Sequence, residues 1–211
     1  MNASNLKFVD LYAGLGGFHL GLSELGMNCV FASEIDQHLQ ENYRQNFGLE
    51  CAGDIFEIQP SSIPDHDILC AGFPCQPFSK AGPQRGLEDE KNGKHIDVIT
   101  SVLLSKKPDY FLLENVPNLL RQNNSATWRM VMKKLRAAGY DITSKVLSSE
   151  KYGSPQKRER LYIFGSKSDL LTFEWPEERN SKTYVRDIIE ERPNSYRSLS
   201  QSQNHALDVW Q

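Results

Sequence analysis

LKFVDLYAGLGG, residues 6–17, is a short apolar run that ends in a turn rich in glycine. The run has the length and the aromatic and β-branched content of a strand, and a helical pattern follows over residues 17–25. The same alternation of a short apolar run and a longer helical pattern recurs along the chain. It predicts an α/β fold with a mostly parallel, doubly wound sheet of about seven strands.

The predicted elements fall into a regular part and a weaker C-terminal part. We predict strands over residues 6–12, 28–34, 51–55, 67–72, 109–115, 141–148 and 160–165. Helices are predicted over 17–25, 36–46, 93–105 and 125–138. Beyond residue 166 we predict a short strand over 173–176, a helix over 185–191 and the start of another helix at 207–211. The chain is therefore divided into a main domain, 1–166, and a C-terminal extension, 167–211.

The composition of the 211 residues, 39% hydrophobic and 24% charged, is typical of a soluble globular protein. No apolar run has the length of a membrane span and no secretory signal is visible, so we expect a cytoplasmic protein with no membrane partner. The four cysteines form no C-x-x-C pair, which favours neither a metal site nor a disulfide framework. A net charge of -3 requires any nucleic-acid contact to use local clusters of basic residues or a second polypeptide.

Five consecutive predicted strands end in residues that a reaction site would use. The first is followed by the glycines, the second ends at Glu34, and the third is followed by Gly53 and Asp54. The fourth leads into Phe73-Pro74-Cys75-Gln76-Pro77, and the fifth ends in Glu114-Asn115. Because sheets of this type bind ligands at the carboxyl ends of their strands, we predict one site at this edge.

The glycine turn is suited to a ligand that approaches the backbone closely at the start of a helix. The dinucleotide pattern G-x-G-x-x-G is broken, since His19 stands at its last position, which disfavours a pyrophosphate ligand. A ligand with a carboxylate, such as S-adenosylmethionine, fits better. Glu34, which lies 20 residues after Gly14, can accept the ribose hydroxyls. An ordinary strand–helix turn without a ligand remains the alternative.

Cys75 is flanked by Pro74 and Pro77, which exclude a central strand or a helix interior and predict a rigid loop. It is therefore a candidate nucleophile, whereas Cys29 and Cys70 fit buried core positions. Glu114, which ends an apolar strand, needs a partner unless it reaches solvent. Residues 151–160 carry four basic residues against one acid and lead into a strand, so some of their arginines are expected to face the site.

In their order, six motifs resemble the cytosine-5 DNA methyltransferases of bacterial restriction–modification systems. They are DLYAGLGG (10–17), SEID (33–36), GD (53–54), GFPCQPFS (72–79), ENV (114–116) and PQKRER (155–160). The resemblance spans about residues 6–166. It implies a Rossmann-like methyltransferase fold and methyl transfer from S-adenosylmethionine to C5 of a cytosine flipped out of double-stranded DNA, with S-adenosylhomocysteine as the product.

The resemblance also implies a role for each matching residue. Cys75 adds to C6 of cytosine, Glu114 contacts N3 and the exocyclic amine, Arg160 holds O2, and Arg158 supports the catalytic loop and the DNA. The implied cofactor contacts are Asp10, Ala13, Gly14, Gly16, Gly17, Phe18, Glu34, Ile35, Asp54, Ile55 and Pro74. The implied DNA contacts are Gln76, Ser79, Lys80 and Arg85, within or beside a loop that closes over the DNA.

Two departures from the family pattern lie beside the implied cofactor. Ile35 stands where many relatives have an aromatic residue that stacks on adenine, and Lys94-His95 stands where relatives carry more apolar residues. The family also continues into a target-recognition region and a final helical segment that packs against the cofactor site. We therefore expect this chain to be one subunit of a split enzyme, a truncated product or a recombinant fragment, and to be weakly active or inactive on DNA alone.

The implied partners are double-stranded DNA, a second subunit with the target-recognition region, and a cognate restriction endonuclease that need not touch the chain. A tRNA cytosine-5 methyltransferase is the first alternative, because it shares the same catalytic motifs. A cofactor-binding subunit that is inactive without its partner is the second. A nicotinamide-dependent dehydrogenase is disfavoured by the lost third glycine and by the cysteine between two prolines.

Overall fold

The computed structural model describes residues 5–74, 88–121, 125–168, 173–179 and 183–189, and of residues 88–93 it describes the backbone alone. The strands of this part are β1 (Lys7–Leu11), β2 (Asn28–Ser33), β3 (Cys51–Ala52), β4 (Ile68–Ala71), β5 (Tyr110–Asn115), β6 (Asp141–Ser148) and β7 (Glu159–Ser166). Its α-helices are α1 (Gly17–Ser23), α2 (Gln37–Phe47), α3 (Glu88–Lys106) and α4 (Ala126–Ala137). No helix among these residues is long and apolar enough to cross a membrane.

The strands form one sheet of seven in the order β3-β2-β1-β4-β5-β7-β6. Strands β1 to β5 are parallel to one another, whereas β7 is antiparallel to both β5 and β6. The prediction of a mostly parallel, doubly wound sheet is confirmed. The connection between β6 and β7, residues 149–158, contains no long crossover helix, so the two strands pair as neighbours running in opposite directions.

Alternate residues of β1 pack on helices from opposite faces of the sheet. Val9 and Leu11 belong to the main buried cluster, which also contains residues of α3 and α4. Phe8 instead contacts His19 of α1 in an edge-to-face arrangement, and Asp10 faces Tyr43 of α2. Since successive side chains of a strand point to opposite faces, this pattern covers the sheet on both sides.

The element ends differ from the predictions in ways that have local causes. β3 is shorter than predicted because the Asp54 side chain accepts a hydrogen bond from the backbone N–H of Phe56 (3.0 Å). This bond begins a short helical turn, Ile55–Glu57, where a strand over 51–55 was predicted. α3 extends from Glu88, five residues before its predicted start at residue 93.

Two predictions for the C-terminal extension are wrong. Residues 173–176 form no strand, because this segment packs through its side chains and not through a backbone ladder. Phe173 stacks on Phe164 of β7 at 4.0 Å between ring centroids, and Trp175 donates to the Thr143 hydroxyl of β6 (3.1 Å). In place of a helix over 185–191, the described residues form a single short turn, Val185–Asp187. The helix predicted to begin near residue 207 lies outside the described residues.

Gly165 gives a test of the packing between β5 and β7. It lies opposite Phe111 in the ladder, and a methyl group added to Gly165 would be 2.1 Å from the fully buried Phe111 ring. We predict that Gly165→Ala destabilises the protein by about 1–3 kcal/mol, because a packed core has no room for an additional carbon. The measurement is the free energy of unfolding in urea. Gly21→Ala, where the added methyl meets no atom within 4 Å, is the control and should not destabilise the protein, because alanine is favoured over glycine inside a helix by about 0.5–1 kcal/mol.

Candidate active site

The glycine turn after β1 is joined to the end of β2 through Glu34. The backbone N–H of Gly14 donates to one carboxylate oxygen of Glu34 (2.8 Å), and the N–H of Asp36 donates to the other (3.0 Å). Two backbone donors thus fix the orientation of this carboxylate. Each oxygen can accept a further hydrogen bond, so Glu34 keeps the capacity to bind hydroxyl groups.

Gly16 is the residue of the turn where a side chain has no room. Its φ of +82° lies in the left-handed region, and a methyl group there would be 2.2 Å from the Phe47 ring of α2. The turn can therefore pack closely on α2 only with glycine at this position. Gly16 serves the packing of the turn and is not among the residues that line the cavities described below.

Beneath the turn lies a buried polar cluster formed by Asp10, His19, Tyr43 and Cys29. Asp10 is only 1% exposed and accepts hydrogen bonds from the backbone of His19 and from the Tyr43 hydroxyl (3.5 Å). The Tyr43 hydroxyl is also within hydrogen-bonding distance of His19 Nδ1 (2.7 Å) and Cys29 Sγ (3.7 Å). In the described part of the chain, Oδ1 of Asp10 has no hydrogen-bond partner. Burial raises the pKa of Asp10 to about 7.

A first cavity, which we call the small cavity, opens at the ends of β1, β2, β3 and β4 and has a volume of about 230 Å³. The carboxylates of Glu34 and Asp54 lie in its wall beside Ile35 and Phe56. The side chains of Tyr12 and His95 complete the wall, and a hydrogen bond joins the Tyr12 hydroxyl to His95 Nδ1 (3.0 Å). Acidic acceptors and flat or branched apolar side chains thus face the same space. The further lining residues are Ser33, Gly53, Ile55, Gly72 and Pro74.

A second cavity, the large cavity, has a volume of about 620 Å³ and shares Tyr12 and Gly72 with the first. One side is formed by the glycine turn and α1, and the other by Glu114 of β5 and Tyr162 of β7. The residues of the turn and α1 in its wall are Ala13, Gly14, Gly17, Phe18, Gly21 and Leu22. Because they share walls, the two cavities adjoin along the carboxyl edge of the sheet, and together they have the size of a typical small-molecule pocket (roughly 300–1,000 Å³).

An ion pair between Glu114 and Arg160 lies beside the large cavity. Arg160 Nε is 2.6 Å from a Glu114 carboxylate oxygen, and the two side chains are 20% and 26% exposed, respectively. Both residues also line a third cavity, which has a volume of about 430 Å³. Arg158 and Tyr162 line both this third cavity and the large cavity. Burial, with a smaller contribution from the Glu114 carboxylate, raises the pKa of Tyr162. The site thus contains a carboxylate and a guanidinium in a fixed mutual orientation.

Asn115 connects β5 to the segment that leads to Cys75. Its side-chain amide donates to the carbonyl oxygen of Phe73 (3.0 Å), and its side-chain oxygen accepts from the N–H of Val116 (2.8 Å). Only 2% of Asn115 is exposed, so these bonds replace water that the buried amide has lost. The interaction fixes Phe73 next to Pro74, which lines the small cavity.

The structure brings together most of the residues that the sequence indicates. Glu34, Ile35, Asp54, Ile55 and Pro74 line the small cavity, and the large cavity brings the glycine turn together with Glu114 and Arg158. The predicted Cys75, Gln76, Ser79, Lys80 and Arg85 lie outside the described residues. Asp10, which the resemblance implied as a cofactor contact, lies behind the turn and lines neither cavity.

Three aromatic residues of the cavity walls, Tyr12, Phe56 and Tyr162, were not among the predicted site residues. Phe56 directly follows the predicted Ile55, and Tyr162 lies two residues from Arg160, on the same face of β7. Their positions next to predicted site residues were therefore a signal from which they could have been found.

The buried Asp10 should make stability depend on pH. Its folded-state pKa of about 7 lies above the ordinary 3.8, so from pH 4 to pH 7 the folded protein retains a proton that the unfolded chain has lost. The stability that Asp10 contributes is therefore complete below about pH 4 and declines as the pH rises towards 7.

We predict that Asp10→Asn removes this decline, because the amide does not titrate. Urea unfolding at pH 5 and pH 7 should show that the wild type loses up to about 2.7 kcal/mol more than the variant over this interval, at about 1.4 kcal/mol per pH unit. Equal changes in the free energy of unfolding for both proteins would contradict the prediction.

Comparison with known proteins agrees with this arrangement of residues. The family model described as C-5 cytosine-specific DNA methylase matches residues 6–210, which extends beyond the 6–166 of the motif resemblance. The type II methyltransferase M.HhaI of Haemophilus parahaemolyticus is 42% identical over 188 residues, or 88% of this chain and 57% of that protein. M.HaeII of Haemophilus aegyptius is 45% identical over 193 residues, or 90% of this chain and 60% of that protein.

The chain therefore spans less than two thirds of the length of these curated relatives. Among solved structures, a mutant of Spodoptera frugiperda DNMT2 has the same fold, with a TM-score of 0.70 at 24% sequence identity over 90% of this chain and 61% of that one. The doubly wound sheet is thus a Rossmann-like methyltransferase fold. From the family match and the relatives at more than 40% identity, the chain belongs to the C-5 cytosine-specific DNA methylase family.

Proposed function

We propose that this chain is the cofactor-binding and catalytic part of a DNA cytosine-5 methyltransferase of the restriction–modification type. The enzyme transfers a methyl group from S-adenosylmethionine to C5 of a cytosine in double-stranded DNA and releases S-adenosylhomocysteine. The observation that carries the proposal is the Glu114–Arg160 ion pair at 2.6 Å, which lies beside the large cavity. The large cavity adjoins the small cavity, whose wall contains two carboxylates. The large cavity suits the base, and the small cavity suits the adenosyl group.

The residues of the small cavity fit an adenosyl cofactor. A ribose presents two hydroxyl donors, which the fixed Glu34 carboxylate can accept, and the adenine amine requires an acceptor such as Asp54. Ile35 and Phe56 offer apolar surface to a flat ring. When bound, S-adenosylmethionine supplies an electrophilic methyl group. The glycine turn leads from this cavity to the large one, which leaves space for the amino-acid end of the cofactor.

The Glu114–Arg160 pair fits the polar edge of cytosine. A Glu114 carboxyl group can pair with N3 and the exocyclic amine, while the Arg160 guanidinium donates to O2. Their ion pair fixes both groups before the base arrives, so little orientation entropy is lost on binding. A base stacked in a duplex cannot enter such a cavity, and the cytosine must be flipped out of the helix.

Cys75 is proposed as the nucleophile. It directly follows Pro74 in the sequence, and Pro74 lines the small cavity. Its thiolate adds to C6 of the cytosine, and the electron pair of the C5–C6 double bond moves to C5, which becomes nucleophilic. Glu114 stabilises the ring at N3 while this charge develops. After methylation, loss of the C5 proton returns an electron pair to the ring, and the Cys75 thiolate is expelled.

DNA binding is proposed to use Gln76, Ser79, Lys80 and Arg85 together with Arg158. The net charge of -3 limits the phosphate contacts that this chain can supply. We therefore propose that residues 167–211 lead toward a target-recognition region on a second subunit, and that a cognate endonuclease belongs to the same system. The chain is expected to act in the cytoplasm.

The test is a methyl-transfer assay with labelled S-adenosylmethionine and either a mixed-sequence DNA duplex or tRNA. We expect weak transfer to DNA by this chain alone and stronger transfer when a polypeptide with a target-recognition region is added. Methylation of tRNA but not of DNA would support the tRNA enzyme instead. Cofactor binding without transfer to either substrate under any condition would indicate a binding module.

Cys75→Ser should abolish methyl transfer, because a hydroxyl is a much poorer nucleophile at neutral pH. The affinity for S-adenosylhomocysteine, measured by calorimetry, should stay within about threefold of the wild type, or about 0.7 kcal/mol. A duplex containing 5-fluorocytosine should trap a covalent complex with the wild-type protein only, since fluorine at C5 cannot leave as a proton. An active enzyme that forms no trapped complex would refute the covalent mechanism.

Glu114→Gln should lower the transfer rate about 100-fold or more, because the amide cannot transfer a proton to N3 and has no charge to pair with Arg160. Glu159→Gln is the matched control, since Glu159 is an exposed glutamate at the start of β7, next to Arg160. It should leave the rate nearly unchanged. Equal rates for the two variants would exclude Glu114 from the reaction.

A further inference from the structure

The pair formed by Tyr12 and His95 is a feature of the small cavity that the proposed reaction does not use. Tyr12 lies at the end of β1 and His95 on α3, 83 residues later, yet the hydroxyl and Nδ1 are 3.0 Å apart. The rings meet in a T-shaped arrangement with 5.4 Å between centroids. Tyr12 has a φ of +57°, in the left-handed region that tyrosine seldom adopts, so the backbone is strained where this side chain enters the cavity wall.

The surroundings of the pair leave few other partners for its polar atoms. Phe56 packs against the His95 ring at 5.1 Å between centroids. Burial, with a smaller contribution from the Asp54 carboxylate, raises the pKa of Tyr12, and the same carboxylate opposes the lowering of the His95 pKa by burial. Glu34 lines the same cavity, and Lys94, the neighbour of His95 on α3, is exposed. Among the side chains that the structure describes, the hydroxyl and the imidazole form their hydrogen bond with each other.

We propose that the Tyr12–His95 hydrogen bond positions the wall of the small cavity and thereby sets the affinity for the adenosyl cofactor. This inference rests on the proposed function, because it concerns the same cavity. His95 is a positioning residue, which acts by holding the Tyr12 ring in the wall shared by the small and large cavities. Two apolar side chains could fill the place of this pair in the wall. The Tyr12 hydroxyl and His95 Nδ1 must therefore satisfy each other's hydrogen bond.

A mutually dependent pair has a distinctive response to substitution. Removal of one member leaves the other with an unsatisfied polar atom in a partly buried wall, which costs more than the hydrogen bond itself contributes. Removal of both members leaves an apolar wall with no unsatisfied atom. The effects of the two single substitutions should therefore not be additive.

The experiment is a double-mutant cycle on the whole chain with S-adenosylhomocysteine as the probe, measured by calorimetry. Tyr12→Phe and His95→Leu should each weaken binding about tenfold, or about 1.4 kcal/mol, while the double variant should return to within about threefold of the wild type. His95→Gln, which retains a hydrogen-bonding side chain, should also stay within about threefold. Lys94→Gln, on the same turn of α3 and outside the cavity wall, is the control and should bind like the wild type.

Thermal unfolding of each variant separates this role from a general loss of stability. If the single variants unfold at lower temperature but bind the probe as the wild type does, the pair is merely structural and the proposal is wrong. Binding that is about 100-fold weaker in the double variant would show two independent contacts and would also overturn it. If the folded wild type binds no S-adenosylhomocysteine, the proposed function itself fails. If the protein binds the probe but the effects of the two substitutions on affinity are additive, only the proposed role of the Tyr12–His95 pair is refuted.

Discussion

Parallel pairing at the centre of the sheet constrains where every functional side chain can lie. β1 is hydrogen-bonded to β2 on one side and to β4 on the other, and each of these strands ends at the same edge. A parallel pair cannot be joined by a tight turn, so the chain must cross over the sheet between strands and return to the opposite edge. The segments that follow β1, β2, β3 and β4 are thereby neighbours, although they are spread over more than sixty residues. The adjoining cavities are a consequence of this arrangement.

The same constraint explains how much of the site could be predicted from the sequence. A buried strand is a local feature, so its carboxyl end can be located within a few residues, and topology then brings the ends together. Glu34, Asp54 and Glu114 were found in this way, and the structure places them in the cavity walls. The family resemblance added Arg158 and Arg160, which precede a strand and which the rule of carboxyl ends does not indicate. These arginines reach the same edge because β7 runs antiparallel to β5.

Other features depend on contacts between distant side chains, which no local pattern encodes. Asp10 lies within a motif associated with cofactor binding, yet its position on the strand turns it towards His19 and Tyr43, behind the turn. The pairing of Tyr12 with His95 requires His95 of α3 to lie directly beside the end of β1. The position of α3 along the strands depends in turn on packing across the whole sheet. In the extension, the aromatic residues at 173 and 175 looked like strand residues, but stacking on β7 satisfies them without a ladder.

The pairing of β5 with β7 has a consequence for how the chain folds. Glu114 lies opposite Tyr162, which makes Arg160 its diagonal neighbour on the same face of the sheet. If β7 slipped by one residue along β5 in one direction, Glu159 would take the place of Arg160. The carboxylates of Glu114 and Glu159 would then meet in a partly buried wall. A slip in the other direction would bring Leu161 there and leave Glu114 without a counter-charge. Either mispairing also turns the buried side of β7 outward. The ion pair therefore discriminates between the native ladder and its nearest competitors, so that a chain with the wrong strand alignment is penalised at the position that we propose for the cytosine.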